Sequence, residues 1–198
     1  TLTCLVAATL SITSANKLRQ EIWPNLDWQI VACDVGQGDA ILVRSAGQIA
    51  LIDVGREVIP IIKCLDELNI QRINLLVLTH FDQDHIGGLS GVLKNRQIDQ
   101  ALISPFEDSR WAAQGTDQML RQAKVPTYKV ERGTNGILGV ARWQVLSPER
   151  NALGAEDSNS ASIVMFFEFK EYNFVAMADA PEKAQMNLAT RSPLLDQP

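Results

Sequence analysis

The stretch LLVLTHFDQDHIGG, Leu75 to Gly88, decides how the rest of the chain is read. The apolar run Ile73 to Leu78 has the unbroken hydrophobicity of a strand covered on both faces, and it predicts a buried strand of an α/β sheet. It leads directly into His80, Asp82, Asp84 and His85, and the 2 histidines of the chain are both here. A Gly87-Gly88 pair and a short helix-like segment follow. Loops at the C-terminal ends of buried strands are where α/β sheets place their chemistry. On an irregular loop, alternate side chains can converge, His80 with Asp82 on one dication and Asp84 with His85 on a second. Two-metal hydrolytic sites hold their ions roughly 3.5–4 Å apart in this way. Helix capping by Asp84 and turn formation by the glycines are the plainer alternative. Clustering of all these ligand types behind one strand favours the metal reading.

Working outward, Trp28–Val35, Ala40–Arg44 and Gln48–Val54 alternate as strands joined by glycine turns, an antiparallel meander ending at Asp53. Val58–Leu68 places Ile61, Ile62, Leu65 and Leu68 on one helical face, with Pro60 in the first turn. Beyond the histidine loop, Gly88–Leu93 and Trp111–Gln122 read as helices, the latter with Met119, Leu120 and Ala123 inward. Ala101–Ser104, Pro126–Val130, Arg142–Leu146, Ile163–Phe169 and Asn173–Ala178 read as strands. Pro181–Ala189 reads as a closing helix, with Asp179 placed to cap it. A β-rich half followed by helices, twice over, predicts two sheets packed face to face with helices outside.

Asp53 and Asp179 each end a predicted strand, one from each half of the chain. If the sheets face each other, both carboxylates reach the edge that carries the histidine loop. Asp179 is then placed to bridge two metals and Asp53 to orient a ligand from behind. Asp34 and Asp39 flank the Gly36-Gln37-Gly38 turn, and a turn role is the expectation for both. Asp157-Ser158-Asn159-Ser160 reads as a loop able to meet a ligand or simply to turn.

A hydrophobic fraction of 46% with 21% charged residues is globular, and 198 residues suit one domain with or without an appendage. The net charge of -5 argues against binding nucleic acid by surface charge alone. Bound dications would supply positive charge locally. Lys124, Lys129 and Arg132 form a loose basic cluster that reads as a solvated face. The 3 cysteines, Cys4, Cys33 and Cys64, lack close spacing and read as buried apolar side chains, with no sign of a disulfide. Thr1–Ala15 is apolar but shorter than the roughly 20 residues that cross a bilayer. It reads as the end of a transmembrane span or as a packed leader. Lys17 and Arg19 behind it hint at a cytoplasmic exit. The expected organisation is a leader and linker over 1–26 and one domain over 27–198.

The string Thr79-His80-x-Asp82-x-Asp84-His85-x-Gly87-Gly88 resembles the signature of the metallo-β-lactamase superfamily. Asp34-Val35-Gly36-Gln37-Gly38-Asp39-Ala40, with Leu51-Ile52-Asp53-Val54-Gly55, narrows the resemblance to the C-terminal hydrolase-like domain of ComEC-type competence proteins. The likeness runs from about Trp28 to about Ala189. It implies an α/β (α+β) fold, an αββα sandwich of two mixed sheets with external helices, and two divalent metal ions, Mn or Zn, at one edge.

By the same resemblance, His80, Asp82, Asp84, His85 and Asp179 are metal ligands, with Asp179 bridging. Asp53 supports them from behind; Asp34, from its place beside the Gly36-Gln37-Gly38 turn and not from the resemblance, could help hold the loop there. Asp84 is read as the catalytic residue that orients the attacking hydroxide and accepts its proton. An oxygen ligand at Asp82 shifts the preference toward Mn²⁺. Asp157–Ser162 resembles an Asn/Ser stretch that stands where other superfamily members have a histidine. The family usually shows Gly-Asp where this chain has Ala178-Asp179, so a displaced turn is expected there. The family's later His-His-Gly-Ser motif is not reached before Pro198, which leaves the metal set short of ligands and reads either as a C-terminal truncation of the domain or as a degenerate copy.

The implied function is a metal-dependent nuclease domain of a DNA-uptake membrane protein, degrading one strand of incoming DNA. Its implied partners are DNA, the membrane channel portion of the same protein and other competence proteins. Its implied place is the extracytoplasmic side of the inner membrane. A small-molecule hydrolase of the same fold, or a non-catalytic domain, are the alternatives, because a fold does not fix a substrate.

Overall fold

The first strands of the chain pair as their alternation requires. In the computed structural model, which describes residues 27–191, β1 (Ile30–Ala32), β2 (Ile41–Ser45) and β3 (Gln48–Ile52) form an antiparallel meander. The leader and linker expected over 1–26 lie outside the described residues. Helix α1 (Val58–Glu67) crosses back to a parallel run, buries Ile61, Cys64 and Leu65, and ends with Leu68 buried.

The strand expected over Ile73–Leu78 is divided. Arg72–Ile73 (β4) pairs with Gln97–Ile98 (β6) in a small parallel ribbon, while Leu75–Leu78 (β5) joins the main sheet beside β3. Asn74 makes the break, because its side chain does the work of a backbone. Its Oδ1 accepts from Ile49 N–H at 2.9 Å and its Nδ2 donates to Asp99 Oδ2 at 2.8 Å.

The chain continues through α2 (Gln83–Ile86), α3 (Leu89–Asn95), β7 (Ala101–Ile103), α4 (Trp111–Gln122) and β8 (Thr127–Lys129). The order of the six-stranded sheet is β1-β2-β3-β5-β7-β8, antiparallel over its first three strands and parallel from β3 onward. A second sheet, order β12-β11-β10-β9, is antiparallel throughout, so only the six-stranded sheet is mixed. It comprises β9 (Asn135–Leu138), β10 (Ala141–Ser147), β11 (Val164–Glu168) and β12 (Asn173–Ala176). Helix α5 (Glu182–Arg191) closes the described chain. None of the helices among the described residues is long and apolar enough to cross a membrane.

Side-chain alternation along β5 shows the layering. Leu76 and Leu78 pack with Ile61, Leu65, Leu89 and Leu120 of the helices, whereas Leu75 and Val77 pack with Val145, Met165 and Phe167 of the second sheet. On the far side, Val164 and Phe166 meet Leu188 of α5. This is the αββα sandwich. Each fully buried Leu or Phe side chain contributes about 1.5–3 kcal/mol, so the twin cores hold the sheet edges in place.

Three expectations need correction. Cys33 and Cys64 are joined by a disulfide across 31 positions, with Cα atoms 5.8 Å apart, and are not separate apolar fillers. No short spacing announces the pair, because the crossover through α1 brings the two together. Ala123 is exposed rather than inward, because α4 stops at Gln122 and Ala123 is its cap; Ala113 and Thr116 join Leu120 inside. β9 has no counterpart among the expected strands. Gly136 lies under the indole of Trp143, where a Cβ would approach Cζ2 to 2.4 Å, so the glycine there serves packing.

Candidate metal centre

Three buried residues make the frame. Asp53 follows β3 with φ 57°, a left-handed conformation that Asp tolerates better than most residues, and its N–H donates to Val77 O at 2.8 Å. Its fully buried carboxylate accepts from Thr79 N–H at Oδ1 (2.8 Å), and from Thr79 Oγ1–H (2.7 Å) and His85 Nδ1–H (2.8 Å) at Oδ2. Thr79 Oγ1 has one proton and spends it on Asp53, so at 2.9 Å it accepts from His80 Nδ1–H. That network assigns the His80 tautomer and leaves its Nε2 with a lone pair. Nε2 is buried and has no hydrogen-bond partner. The strand end, one threonine and one aspartate thus aim a bare nitrogen at the sheet edge.

His85 lies beside it, ring centroids 4.1 Å apart and planes inclined by 47°. Backbone bonds fix it: its N–H donates to Asp82 O (2.9 Å) and its carbonyl accepts from Val54 N–H (2.9 Å). Its Nε2 is 3.4 Å from Asp179 Oδ1. The two rings differ in charge. Burial works against protonation of His85, but the Asp53 hydrogen bond and the charges of Asp53, Asp179 and Asp84 outweigh it and push its pKa up to about 9. Burial lowers the pKa of His80, and the neighbouring His85 adds to that against the pull of Asp53. Asp39 shows the matching strain: burial, with Asp53 and Asp179 nearby, raises its carboxyl pKa.

Two sets of ligand atoms fall within 4.8 Å of one another, Asp53, His80 and His85 in one, and Asp39, His85 and Asp179 in the other. In the first set both Asp53 oxygens are already committed to Thr79 and His85, so Asp53 holds those two residues in place and has no oxygen left uncommitted. The chemistry suits a dication: an orphaned imidazole nitrogen, a second imidazole oriented by a carboxylate, and further carboxylates within reach.

The sequence-predicted residues are distributed as follows. His80, His85, Asp53 and Asp179 come together. Asp82 occupies the N-cap position of α2 without capping it; Oδ2 lies 3.8 Å from His80 Nε2 and Oδ1 pairs with Arg110 Nη2 at 2.7 Å. Asp84, in the first turn of that helix, accepts from Gln37 Nε2 at 2.9 Å, and Gln37 Oε1 in turn accepts from Arg56 Nη1 at 3.2 Å. Asp34 is exposed and belongs to neither set, whereas Asp39, read only as a turn residue, belongs to the second.

The turn at Ala178 brings Asp179 within reach of the histidines. Ala178 takes φ 49°, the conformation a glycine would take more easily, and delivers Asp179 to His85 rather than to the helix end. The 157–162 loop divides in the same manner. Asp157 Oδ1 accepts from Ser160 N–H and Oγ, a turn, while Ser158 Oγ accepts from Phe81 N–H at 3.3 Å, within the histidine loop.

Thr79, Gln37, Arg56 and Arg110 were missed. Thr79 and Gln37 stand inside the two quoted strings, which was the available signal; Arg110 has none, because its approach to Asp82 comes only from the fold. Gly38 explains the tight GQGD string: at φ 88° it lies against Asp84, where a Cβ would come within 1.7 Å of the carbonyl oxygen.

Sandwich and edge site together define a class, and residues 33–181 match the family model of the metallo-beta-lactamase superfamily; the chain belongs to that superfamily. Within it, the chain is similar to ComE operon protein 3 of Bacillus subtilis (strain 168), at 25% identity over 189 residues, covering 84% of the chain and 24% of that protein. It is also similar to competence protein ComA of Neisseria gonorrhoeae, at 33% over 90 residues, covering 44% of the chain and 13% of that protein. The chain therefore spans a quarter or less of the length of these relatives. Among solved structures, CmlA, a diiron beta-hydroxylase from Streptomyces venezuelae, superposes with TM-score 0.53 at 16% identity, over 83% of this chain and 33% of that one. A Cronobacter sakazakii metallo-beta-lactamase with a HARLDQ motif gives TM-score 0.53 at 14% identity, over 79% and 61%. At these identities the likeness shows the fold alone.

Proposed function

We propose that the chain is the metal-dependent phosphodiester hydrolase domain, a nuclease, of a DNA-uptake membrane protein, and that it degrades one strand of incoming DNA. The observation that carries this reading is the buried, unpartnered Nε2 of His80 beside the oriented ring of His85, in a chain similar to two competence proteins. His80 and Asp82 would hold one dication, and His85, Asp179 and Asp84 a second, with Asp39 beside His85 and Asp179 as a further oxygen donor. Mn²⁺ or Zn²⁺ bound there would lower the pKa of water and neutralise charge on a phosphoryl group.

The rest falls to the protein. Asp53 and Thr79 keep both imidazole Nδ1 atoms protonated and both Nε2 atoms facing the edge. Asp84, steadied by Gln37, is the base that takes the proton of the attacking water. The partners in this reading are a single strand of the incoming duplex, the channel portion of the same protein and other competence proteins. The extracytoplasmic side of the inner membrane is supported by the Cys33–Cys64 disulfide, since such bonds persist in oxidising compartments.

The test is calorimetric titration with Mn²⁺ and Zn²⁺ together with turnover of a single-stranded oligodeoxynucleotide. His80→Ala weakens metal binding at least about tenfold, and Asp84→Ala and His80→Ala each abolish turnover. Unchanged turnover in either variant defeats the assignment. A wild-type chain that takes up metal and hydrolyses small esters but no phosphodiester favours the small-molecule alternative.

A further inference from the structure

Beside Asp82 opens a cleft of about 460 Å³, bordered by Phe106, Arg110, Ser158 and Asn159. Its other lining residues include Glu107, Asp108 and Asp157, and among the described residues lining it Arg110 is the only basic one. An acidic cleft repels a phosphodiester unless cations are placed in it. Two of those carboxylates are already engaged, Asp157 by Ser160 and Asp108 by Arg110 itself.

Arg110 is held on one side and free to serve on another. It stands at the N-cap of α4, its side chain about half exposed. Nε donates to Asp108 Oδ1 and Oδ2 at 2.9 Å each, and Nη2 donates to Asp108 Oδ2 at 2.5 Å. The same Nη2 lies 2.7 Å from Asp82 Oδ1. That last contact is an ion pair: Asp82 Oδ1 is buried and accepts no well-directed hydrogen bond. Asp108 thus anchors the guanidinium, and Asp82 borrows its charge. A guanidinium has five N–H donors in a planar fork, a match for two oxygens of a phosphate.

Building on the hydrolase reading above, we propose that Arg110 is a phosphate-binding residue of the substrate cleft. It occupies the Asp82 carboxylate in the cation-free chain and turns to the non-bridging oxygens of a phosphodiester once a dication neutralises Asp82. Arg110 and the first metal are then competitors for Asp82 and, once the metal has entered, collaborators on the substrate. The Asp108 anchor keeps the fork at the cleft in both states.

The two roles predict opposite effects of one substitution, which a merely structural role would not produce. In the full chain, Arg110→Ala binds Mn²⁺ several-fold more tightly by calorimetry, because a competing cation is gone. The same variant raises the KM for a single-stranded oligodeoxynucleotide about tenfold or more, with kcat less affected, because a charge-assisted contact is lost. Arg110→Lys, which keeps the charge without the fork and is the milder change should Arg110→Ala fold poorly, lies between wild type and alanine on both readings. Weaker Mn²⁺ binding in Arg110→Ala would make the arginine a prop for Asp82 and overturn the proposal, as would an unchanged KM in both variants. A wild-type chain that binds Mn²⁺ and cleaves the oligonucleotide while the variants behave identically overturns this inference alone. A wild-type chain that takes up no Mn²⁺ overturns it together with the hydrolase reading.

Discussion

The two histidines of the site sit 4.1 Å apart and share one supporting aspartate, yet their surroundings are opposite. His85 touches Asp53 directly and faces Asp179, and its pKa rises to about 9. His80 reaches Asp53 only through the hydroxyl of Thr79, and burial keeps it neutral. The carboxylate 3.8 Å from His80 Nε2, Asp82, is itself paired with Arg110. In the cation-free chain the His85 side therefore carries a proton and the Asp82 side carries a guanidinium, positive charges where a dication would go. The Nε2 of His80 is left bare between them. The difference teaches that the two candidate metal positions are not equivalent: a cation near Asp82 would have to displace Arg110, whereas one on His85 would have to displace a proton.

The comparison breaks most violently at Asp53. Asp53→Asn keeps the shape but puts an amide where one carboxylate oxygen accepts from His85 and Thr79. Leaving a buried group uncompensated in this way costs about 3 kcal/mol or more. The loss is read by urea denaturation of the chelator-treated chain. The same variant lowers the His85 pKa toward the ordinary histidine range, visible as a shifted NMR titration of its ring. An unchanged midpoint and an unchanged titration would show that the two rings do not depend on Asp53.

A smaller effect sharpens the same contrast through pH. The folded pKa of His85, about 9, lies above the ordinary value of 6.5, so its stabilising contribution is complete below pH 6.5 and is lost as pH rises through 9. With His85 buried, the loss is on the order of 3 kcal/mol, from 1.36 kcal/mol per pKa unit. His80 contributes no loss in that window, because its pKa is lowered. Asp39 acts well below it: a raised carboxyl pKa removes stability as pH climbs through the acid range. Denaturation midpoints of the metal-free chain at a series of pH values check this. His85→Gln flattens the alkaline slope, whereas a slope that survives the substitution places the titrating group elsewhere.

Much of this was legible in the sequence for a reason that can be stated. Leu75–Leu78, buried on both faces, reads as unbroken apolar residues, and that pattern fixes a parallel strand between two layers. His80 and His85 come together because a four-residue helical turn follows one such strand. Asp179 is recoverable because it lies in the turn just beyond a strand of the other sheet, and sandwich strands end at common edges. What local pattern does not encode is contact across the fold. Cys33 meets Cys64, Arg110 meets Asp82 and Gln37 meets Asp84 only after α1 and α4 have packed on the sheet. Asp34 and Asp39 differ in the same way on a smaller scale. The two flank one turn, and Asp39, whose carbonyl accepts from Gly55 N–H at 2.8 Å, is the one brought to His85, a contact across the fold.

The smallest effect concerns how the carboxylate facing His85 is presented. Ala178 holds a left-handed φ of 49°, which costs an L-residue roughly 1–2 kcal/mol, while its Cβ restricts the unfolded chain and recovers part of that. Ala178→Gly relieves the strain and gives up the restriction, for a net gain of about 0.5–1 kcal/mol in the denaturation midpoint. The turn is already formed in the wild type, with Asp179 Oδ1 at 3.4 Å from His85 Nε2, so the substitution changes stability and leaves the His85 titration where it was. A midpoint that falls, or a His85 pKa that moves with it, would mean that the alanine methyl, and not the turn, keeps Asp179 against the ring.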